Sequence, residues 1–203
     1  MALQAEHLNH IRSFEASEGI NVRDRQARLR ALYAKAPQTA WVDDHARTID
    51  RQVRACHPIH GHVVCGVDVP IDLPISVHKA VGGESDFPCP GEILAAALAS
   101  CLDTAIRMIA NLMKMELKNL EVKVSLGADV RGTLMMNDQI PVGFQSVHVE
   151  VDIKTSSDVP DKSLAVLLNA AEKSCVILQT LRNPPKLLVS RTVNQALECP
   201  ELK

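Results

Sequence analysis

The sequence predicts a mixed α+β fold, and three patterns support that prediction. An almost unbroken apolar run near the middle of the chain indicates a buried helix, a second apolar stripe at helical spacing lies further on, and two segments between them alternate apolar and polar residues. Since 46% of the 203 residues are hydrophobic, the chain can bury a substantial core. We therefore expect two helices that pack on an antiparallel sheet.

The first predicted helix runs from Gly91 to about Met115 and begins after a loop at residues 80–90, where Pro90 suits the first helical position. Its first half is apolar all round, and its second half carries a polar stripe, which indicates a helix that is buried at its N-terminal end. Leu120 to Val130 and Val147 to Lys154 then alternate strictly, which is typical of two half-buried strands. We expect these two strands to pair antiparallel.

The second helix is predicted to start near Pro160 and to continue until Pro184. Its apolar stripe consists of Leu164, Leu167, Leu168, Ala171, Cys175 and Leu178. Lys186 to Val193 is interpreted as a last strand before a polar tail.

The N-terminal part of the chain differs in composition from the rest. Residues 1–40 are rich in charge and predict a helical extension, whereas residues 41–203 are interpreted as one domain. Within that domain, Ile49 to Val53, His62 to Val69 and Leu73 to Lys79 predict a small meander of short strands separated by turns.

Composition and charge exclude several classes of function. A net charge of -2, a pI near 6.4 and an aromatic content of 2% provide neither a basic surface nor stacking residues for nucleic acid. The first residues lack the apolar segment of a signal peptide, so we expect a cytoplasmic protein. The most hydrophobic run, Ile93 to Leu102, is about half as long as a membrane span, so no membrane partner is expected.

Two of the six cysteines are the strongest candidates for chemistry. In a chain without a secretory signal, cysteines are expected to be thiols rather than a disulfide framework. Cys101 lies in the first helix and Cys175 on the apolar stripe of the second, so their sulfur atoms meet if both helices pack on one sheet. The alternative is that each is a small buried hydrophobic residue, and periodicity alone favours that interpretation.

A second group of residues is competent to bind metal. Cys56, His57, His60, His62 and Cys65 lie within ten residues, in the segment CHPIHGHVVC. Pro58 and Gly61 mark this segment as a turn, and its spacing matches no zinc pattern, so solvated histidines are the favoured interpretation. We expect neither a metal nor another cofactor, and a metal site remains the alternative.

The two cysteine segments and the strand between them resemble a known family. The segments PGEILAAALASCLDTAIRMIA (Pro90 to Ala110), LEVKVSLGADV (Leu120 to Val130) and AEKSCVILQTL (Ala171 to Leu181) are similar to the OsmC/Ohr family. The resemblance covers about Arg47 to Val193 and leaves the N-terminal extension unmatched. It implies an OsmC-like α+β fold with an antiparallel sheet, two central cysteine-bearing helices and an intertwined homodimer whose sites lie at the subunit interface.

The resemblance also implies an activity, because the best-known members of the family reduce organic hydroperoxides. Cys101 would be the peroxidatic thiol that becomes a sulfenic acid, Cys175 would resolve it as a disulfide, and a dithiol reductant would restore the pair. The family also supplies an arginine near the thiol. Here that residue would be Arg54, with Arg51 and Arg47 as alternatives.

Two positions depart from the family pattern. The family has a glutamate ten residues before the first cysteine, where this chain has Gly91, and Glu92 follows one position later. One helical step turns a side chain by about 100°, so Glu92 is a candidate for that role with a different orientation. Peroxidase members commonly have proline after the second cysteine, where this chain has Val176. These departures motivate an alternative function, a homodimer that binds small molecules or acts in stress without peroxidase catalysis.

Overall fold

The computed structural model describes residues 19–50, 54–66, 70–156 and 158–193. The described strands are β1 (Ala46–Thr48), β2 (His60–Cys65), β3 (Ile71–Ser76), β4 (Leu117–Gly127) and β5 (Ser146–Thr155). The described α-helices are α1 (Val22–Lys35), α2 (Pro90–Leu112), α3 (Val130–Thr133), α4 (Asp161–Ser174) and α5 (Val176–Arg182). Two 3₁₀ turns, Pro37–Ala40 and Lys79–Val81, complete the order. The mixed α+β class predicted from the sequence is confirmed.

The first three strands form an antiparallel sheet in the order β1-β2-β3. This is the predicted meander, although β1 lies before the expected strand at Ile49 to Val53, and residues 51–53 and 67–69 are outside the described part of the chain. Pro74 lies on β3 and pairs with His62 of β2. Because β3 is an edge strand of the described sheet, the missing N–H of the proline is tolerated there.

Strands β4 and β5 form the second sheet and pair antiparallel, as the alternation predicted. Val122 lies opposite Val151 and Val124 opposite Val149, so their apolar side chains share one face of the sheet, and that face packs on the core. The predicted strand end at Val130 is wrong, because β4 stops at Gly127 and Val130 begins the short helix α3. The Asp129 side chain accepts a hydrogen bond from the Arg131 amide, which caps α3.

Helix α2 is the centre of the core. Its start combines Pro90 at the first position with a capping box, in which Glu92 Oε2 accepts a hydrogen bond from the Cys89 amide at 2.8 Å. Its fully or nearly fully buried residues are Leu98, Leu102, Ala105, Ile106 and Ala110. By length and hydropathy alone, α2 could cross a membrane, but core helices of soluble proteins meet the same two criteria. Here it packs against β4, α4 and α5.

The second predicted helix is broken at Cys175. Helix α4 ends at Ser174, α5 begins at Val176, and their axes differ by 69°. Cys175 itself is extended, with φ −72° and ψ 104°. The prediction of a single helix through Cys175 is therefore wrong. The apolar residues keep their helical spacing across the break, and no glycine or proline in the sequence marks its position.

The predicted last strand is also absent, because residues 184–193 form neither helix nor strand. Leu187, Leu188 and Val189 are 80 to 86% exposed. A strand requires a neighbour that takes up its backbone hydrogen bonds, and this segment has none among the described residues of the single chain.

The predicted N-terminal extension contains α1, which lies against the end of α2. The Val22 amide donates to Asn111 Oδ1 at 3.0 Å, Asn111 Nδ2 donates to the Ile20 carbonyl at 3.2 Å, and the Arg23 guanidinium donates to the Leu112 carbonyl at 3.1 Å. Residues 1–18 lie outside the described part, so the boundary predicted at residue 40 stays a prediction.

Candidate functional site

The structure brings Cys101 and Cys175 together. Cys101 projects from α2 onto the buried cluster that contains Cys175, and both residues are free thiols. Cys175 is completely buried, whereas Cys101 is partly exposed. The pair thus joins one thiol that solvent reaches to one that it does not.

The surroundings of Cys175 oppose its ionisation. Burial raises the pKa of the Cys175 thiol, and the adjoining Cys101 thiol acts in the same direction. The backbone amides of Leu178 and Ile177, in the first turn of α5, approach the sulfur and lower the pKa, although burial outweighs them. The break at Cys175 thus places the sulfur beside free amides that an unbroken helix would have used.

An apolar groove of about 450 Å³ lies between α2, β5, α4 and α5, and its lining includes sequence neighbours of the two cysteines but neither cysteine itself. Leu102 follows Cys101 in the sequence, and Leu178 is the residue whose amide approaches Cys175; both side chains line the groove. Most of its lining is aliphatic, and an ion pair between Arg182 and Glu172, at 2.9 Å, supplies its charged groups. The groove therefore suits an apolar molecule.

The two charged residues proposed to serve the thiol lie in the turn before β2 and at the start of α2. Arg54 is exposed in a turn before β2, where its carbonyl accepts from the His57 amide. Within the described residues its guanidinium makes no ion pair. Of its alternatives, Arg47 is exposed on β1, and Arg51 lies outside the described residues. The assignment of the arginine stays a prediction.

Glu92 is occupied at the start of α2. Its carboxylate caps the Cys89 amide, and nine residues of α-helix separate it from Cys101, a rise of about 13 Å. Its proposed role at the thiol also stays a prediction.

Phe144 is a neighbour of Gly91 that the sequence did not indicate. A Cβ atom on Gly91 would lie 2.9 Å from Phe144 Cζ, so the ring occupies the space next to the position of the family glutamate. Cys89 Sγ lies 3.6 Å from the same point. Phe144 is 53 positions away in a turn-rich segment, and no local pattern in the sequence signals this contact.

The five metal-competent residues of the CHPIHGHVVC segment do not form one site. His62 Nδ1 pairs with Asp72 Oδ1 at 2.9 Å, and His60 Nε2 pairs with Asp86 instead. Cys65 is an exposed thiol at the end of β2. Cys56 is disulfide-bonded, contrary to the expectation that the cysteines are thiols.

A comparison with family models decides the identity of the fold. Residues 82–190, more than half of the chain, match the model of the OsmC-like protein family. The chain belongs to this family. The match contains both Cys101 and Cys175 and excludes the β1 to β3 sheet and Arg54.

Solved structures of OsmC-like proteins share the fold. The organic hydroperoxide resistance protein OsmC of Legionella pneumophila is 21% identical, with a TM-score of 0.50 over 70% of this chain and 90% of that protein. An organic hydroperoxide resistance protein of Elizabethkingia anophelis is 20% identical, with a TM-score of 0.52 over 71% and 91%. The OsmC-like protein of Mycoplasma pneumoniae is 11% identical, with a TM-score of 0.54 over 70% and 89%. The sequence comparison with curated proteins found no match.

Proposed function

We propose that this OsmC-like protein reduces organic hydroperoxides through Cys101 and Cys175. The observation that supports the proposal most strongly is the contact between the two thiols, one partly exposed and one buried. Two proteins of the same fold, from Legionella and Elizabethkingia, are named organic hydroperoxide resistance proteins, which agrees with the proposal.

In the first step, the Cys101 thiolate attacks the oxygen of the O–O bond that is remote from the organic group. The O–O bond breaks, the sulfur gains the hydroxyl to become a sulfenic acid, and the alkoxide leaves and takes a proton from solvent to become the alcohol. Cys101 suits this role because it is the thiol of the pair that a substrate reaches from solvent.

In the second step, the Cys175 sulfur attacks the sulfenic sulfur. The two sulfurs form a disulfide, and the hydroxyl leaves with the Cys175 proton as water. The amides of Leu178 and Ile177 assist this step, because they stabilise negative charge on a sulfur that burial otherwise keeps protonated. A dithiol reductant then reduces the disulfide, returns two protons and two electrons, and is itself oxidised to a disulfide.

The apolar groove between α2, β5, α4 and α5 supports a substrate with an apolar organic group. Its aliphatic lining removes such a group from water but offers few partners to a small polar peroxide. We therefore expect organic hydroperoxides to be reduced faster than hydrogen peroxide.

The active form in this proposal is a cytoplasmic homodimer. Leu187, Leu188 and Val189 form a continuous exposed apolar segment, and Trp41 and Val42 are 79% and 72% exposed. Contiguous exposed apolar residues are typical of interaction surfaces. A second copy that pairs with residues 186–193 would give this segment the strand neighbour that it lacks in the single chain.

The test is hydroperoxide consumption by the reduced protein with a dithiol present. Wild type and Cys65→Ser, a control at an exposed thiol away from the pair, are expected to consume tert-butyl hydroperoxide equally. Cys101→Ser should be inactive, and Cys175→Ser should react but turn over poorly with a dithiol. Full turnover by Cys101→Ser would refute the proposal.

A second candidate function is a small-molecule-binding homodimer without peroxidase catalysis. It is favoured by Gly91 with Phe144 at the family glutamate position and by the capping role of Glu92. In that case the protein binds apolar molecules in the groove, and both thiols remain reduced after hydroperoxide is added. Oxidation of Cys101 by one equivalent of hydroperoxide would exclude it.

A further inference from the structure

Outside the thiol site, His60, Glu84 and Asp86 place three metal-competent donor atoms together. His60 Nε2 lies 2.9 Å and 3.0 Å from the two Asp86 oxygens. One donor atom from each of the three residues lies within 4.8 Å of the others. Donors around one transition-metal ion at 2.0–2.2 Å are separated by about 3.4–4.4 Å. The set therefore closes around an ion when His60 and Asp86 move apart by about 0.5 Å and the exposed Glu84 side chain moves inward.

The imidazole of His60 is held in one orientation. Its ring lies 4.8 Å from the ring of His57 and meets Phe87 edge-on at 5.9 Å. His57 Nδ1 accepts a hydrogen bond from the His60 amide, which anchors the backbone as well. The side chain is only 16% exposed, and Nε2 is the nitrogen that faces the carboxylates.

The loop that carries the two carboxylates is fixed on both sides. Ser85, between them, has a left-handed backbone with φ +55°, and its hydroxyl accepts a hydrogen bond from the Lys79 amide at 2.7 Å. Just before them, a Cβ on Gly83 would lie 1.8 Å from the Val77 carbonyl, so only glycine fits. The loop backbone therefore keeps Glu84 and Asp86 next to His60, while both side chains remain exposed.

Two other histidines in the described part of the chain pair with a carboxylate, and they differ from His60. His62 has Asp72, and His148 has Glu150 at 3.1 Å, each a single carboxylate. Among the described residues, the group around His60 is the one whose donors could surround an ion.

We propose that His60, Glu84 and Asp86 bind a divalent transition-metal ion of the zinc class. One imidazole nitrogen and two carboxylate oxygens form a donor set that zinc accepts, whereas calcium and magnesium prefer oxygen alone. When the ion binds, it takes the place of the hydrogen between Nε2 and Asp86. In a neutral imidazole that proton moves to Nδ1, and from an imidazolium it passes to solvent. Water fills the remaining coordination position. The site lies on β2 and the loop before α2, and it does not depend on the thiol activity proposed above.

The test is titration of the full-length, untagged protein, with the disulfide at Cys56 intact, with Zn²⁺ by calorimetry. We expect one ion per chain, with affinity reduced about tenfold or more in Glu84→Gln, Asp86→Asn and His60→Gln. Glu84 is exposed, so its substitution reports on binding and not on folding.

Two controls make the result specific. His148→Gln removes a histidine–carboxylate pair of similar length on β5 and should bind Zn²⁺ like wild type. The double variant Cys101→Ser with Cys175→Ser should also bind normally, because the thiols are not ligands in this proposal. Absence of stoichiometric binding by wild type, or a loss that follows the cysteines and not Glu84, would overturn the proposal.

Discussion

Cys175 lies buried at the break between α4 and α5, with the Cys101 thiol of α2 against it. The backbone at Cys175 leaves the helical conformation, so α5 starts anew with free amides that face the sulfur. A continuous helix would have buried the same thiol without those amides. The break therefore gives the Cys175 sulfur backbone amide partners, which the proposed function uses and which a cysteine inside a continuous helix would lack.

The raised pKa of Cys175 predicts a pH dependence of stability. An unfolded cysteine ionises near pH 8.5, whereas the folded protein keeps Cys175 protonated to higher pH. The unfolded state therefore releases its proton first, and the unfolding free energy falls as the pH rises above about 8.5, by up to about 1.4 kcal/mol per pH unit.

Urea denaturation of the reduced protein at pH 7.5 and 9.5 measures this effect. Cys175→Ser lacks the thiol and should show a smaller decline than wild type. An equal decline of the unfolding free energy in both proteins would contradict a raised pKa of Cys175.

The backbone at Val176 predicts that this position tolerates proline, the residue that peroxidase members of the family commonly have after the second cysteine. Val176 is the first residue of α5, and the preceding Cys175 is extended, so the ring of a proline fits both residues. We expect Val176→Pro to raise the unfolding free energy by about 0.4–1 kcal/mol, because it restricts the unfolded chain.

Gln179→Pro is the matched control one turn later. It removes the hydrogen bond from the Gln179 amide to the Cys175 carbonyl, at 3.0 Å, and should cost about 3 kcal/mol. Thermal unfolding compares the two, and comparable losses in both variants would show that the backbone at Val176 is not that of a helix start.

The contact between Gly91 and Phe144 predicts non-additive substitutions. Gly91→Ala places a Cβ 2.9 Å from the Phe144 ring, and the displacement of the ring offsets the gain in helix propensity. In a Phe144→Ala background the obstruction is gone, and Gly91→Ala should stabilise the protein by up to about 1 kcal/mol. A double-mutant cycle by urea denaturation measures the coupling, and additive effects would mean that the ring does not occupy this space.

The elements with long regular patterns were predictable from the sequence. The alternation of β4 and β5 gave both their existence and their pairing, because period two over ten residues fixes which face is buried. The apolar run of α2 likewise gave the helix that carries Cys101. The approach of Cys101 and Cys175 was only a conditional expectation from two apolar helix faces, and the structure brings them together with Cys175 at a helix break.

Features that depend on contacts between distant residues were not predictable. The break at Cys175 lies inside a continuous apolar stripe without glycine or proline, so periodicity extended the helix through it. Residues 186–193 have the composition of a strand, but they have no neighbouring strand among the residues that the structure describes. Phe144 reaches Gly91, and Asp86 reaches His60, across loops whose course no local pattern specifies.

The most direct test of the account is peptide mapping by mass spectrometry after a single oxidation. The protein with Cys101 and Cys175 as free thiols and the disulfide at Cys56 intact receives one equivalent of tert-butyl hydroperoxide without reductant, is alkylated, and is then digested. The proposed thiol cycle predicts a Cys101–Cys175 disulfide, with Cys65 and Cys89 alkylated as free thiols. Recovery of Cys101 and Cys175 as alkylated thiols, or of Cys101 over-oxidised beside an unmodified Cys175, would contradict it.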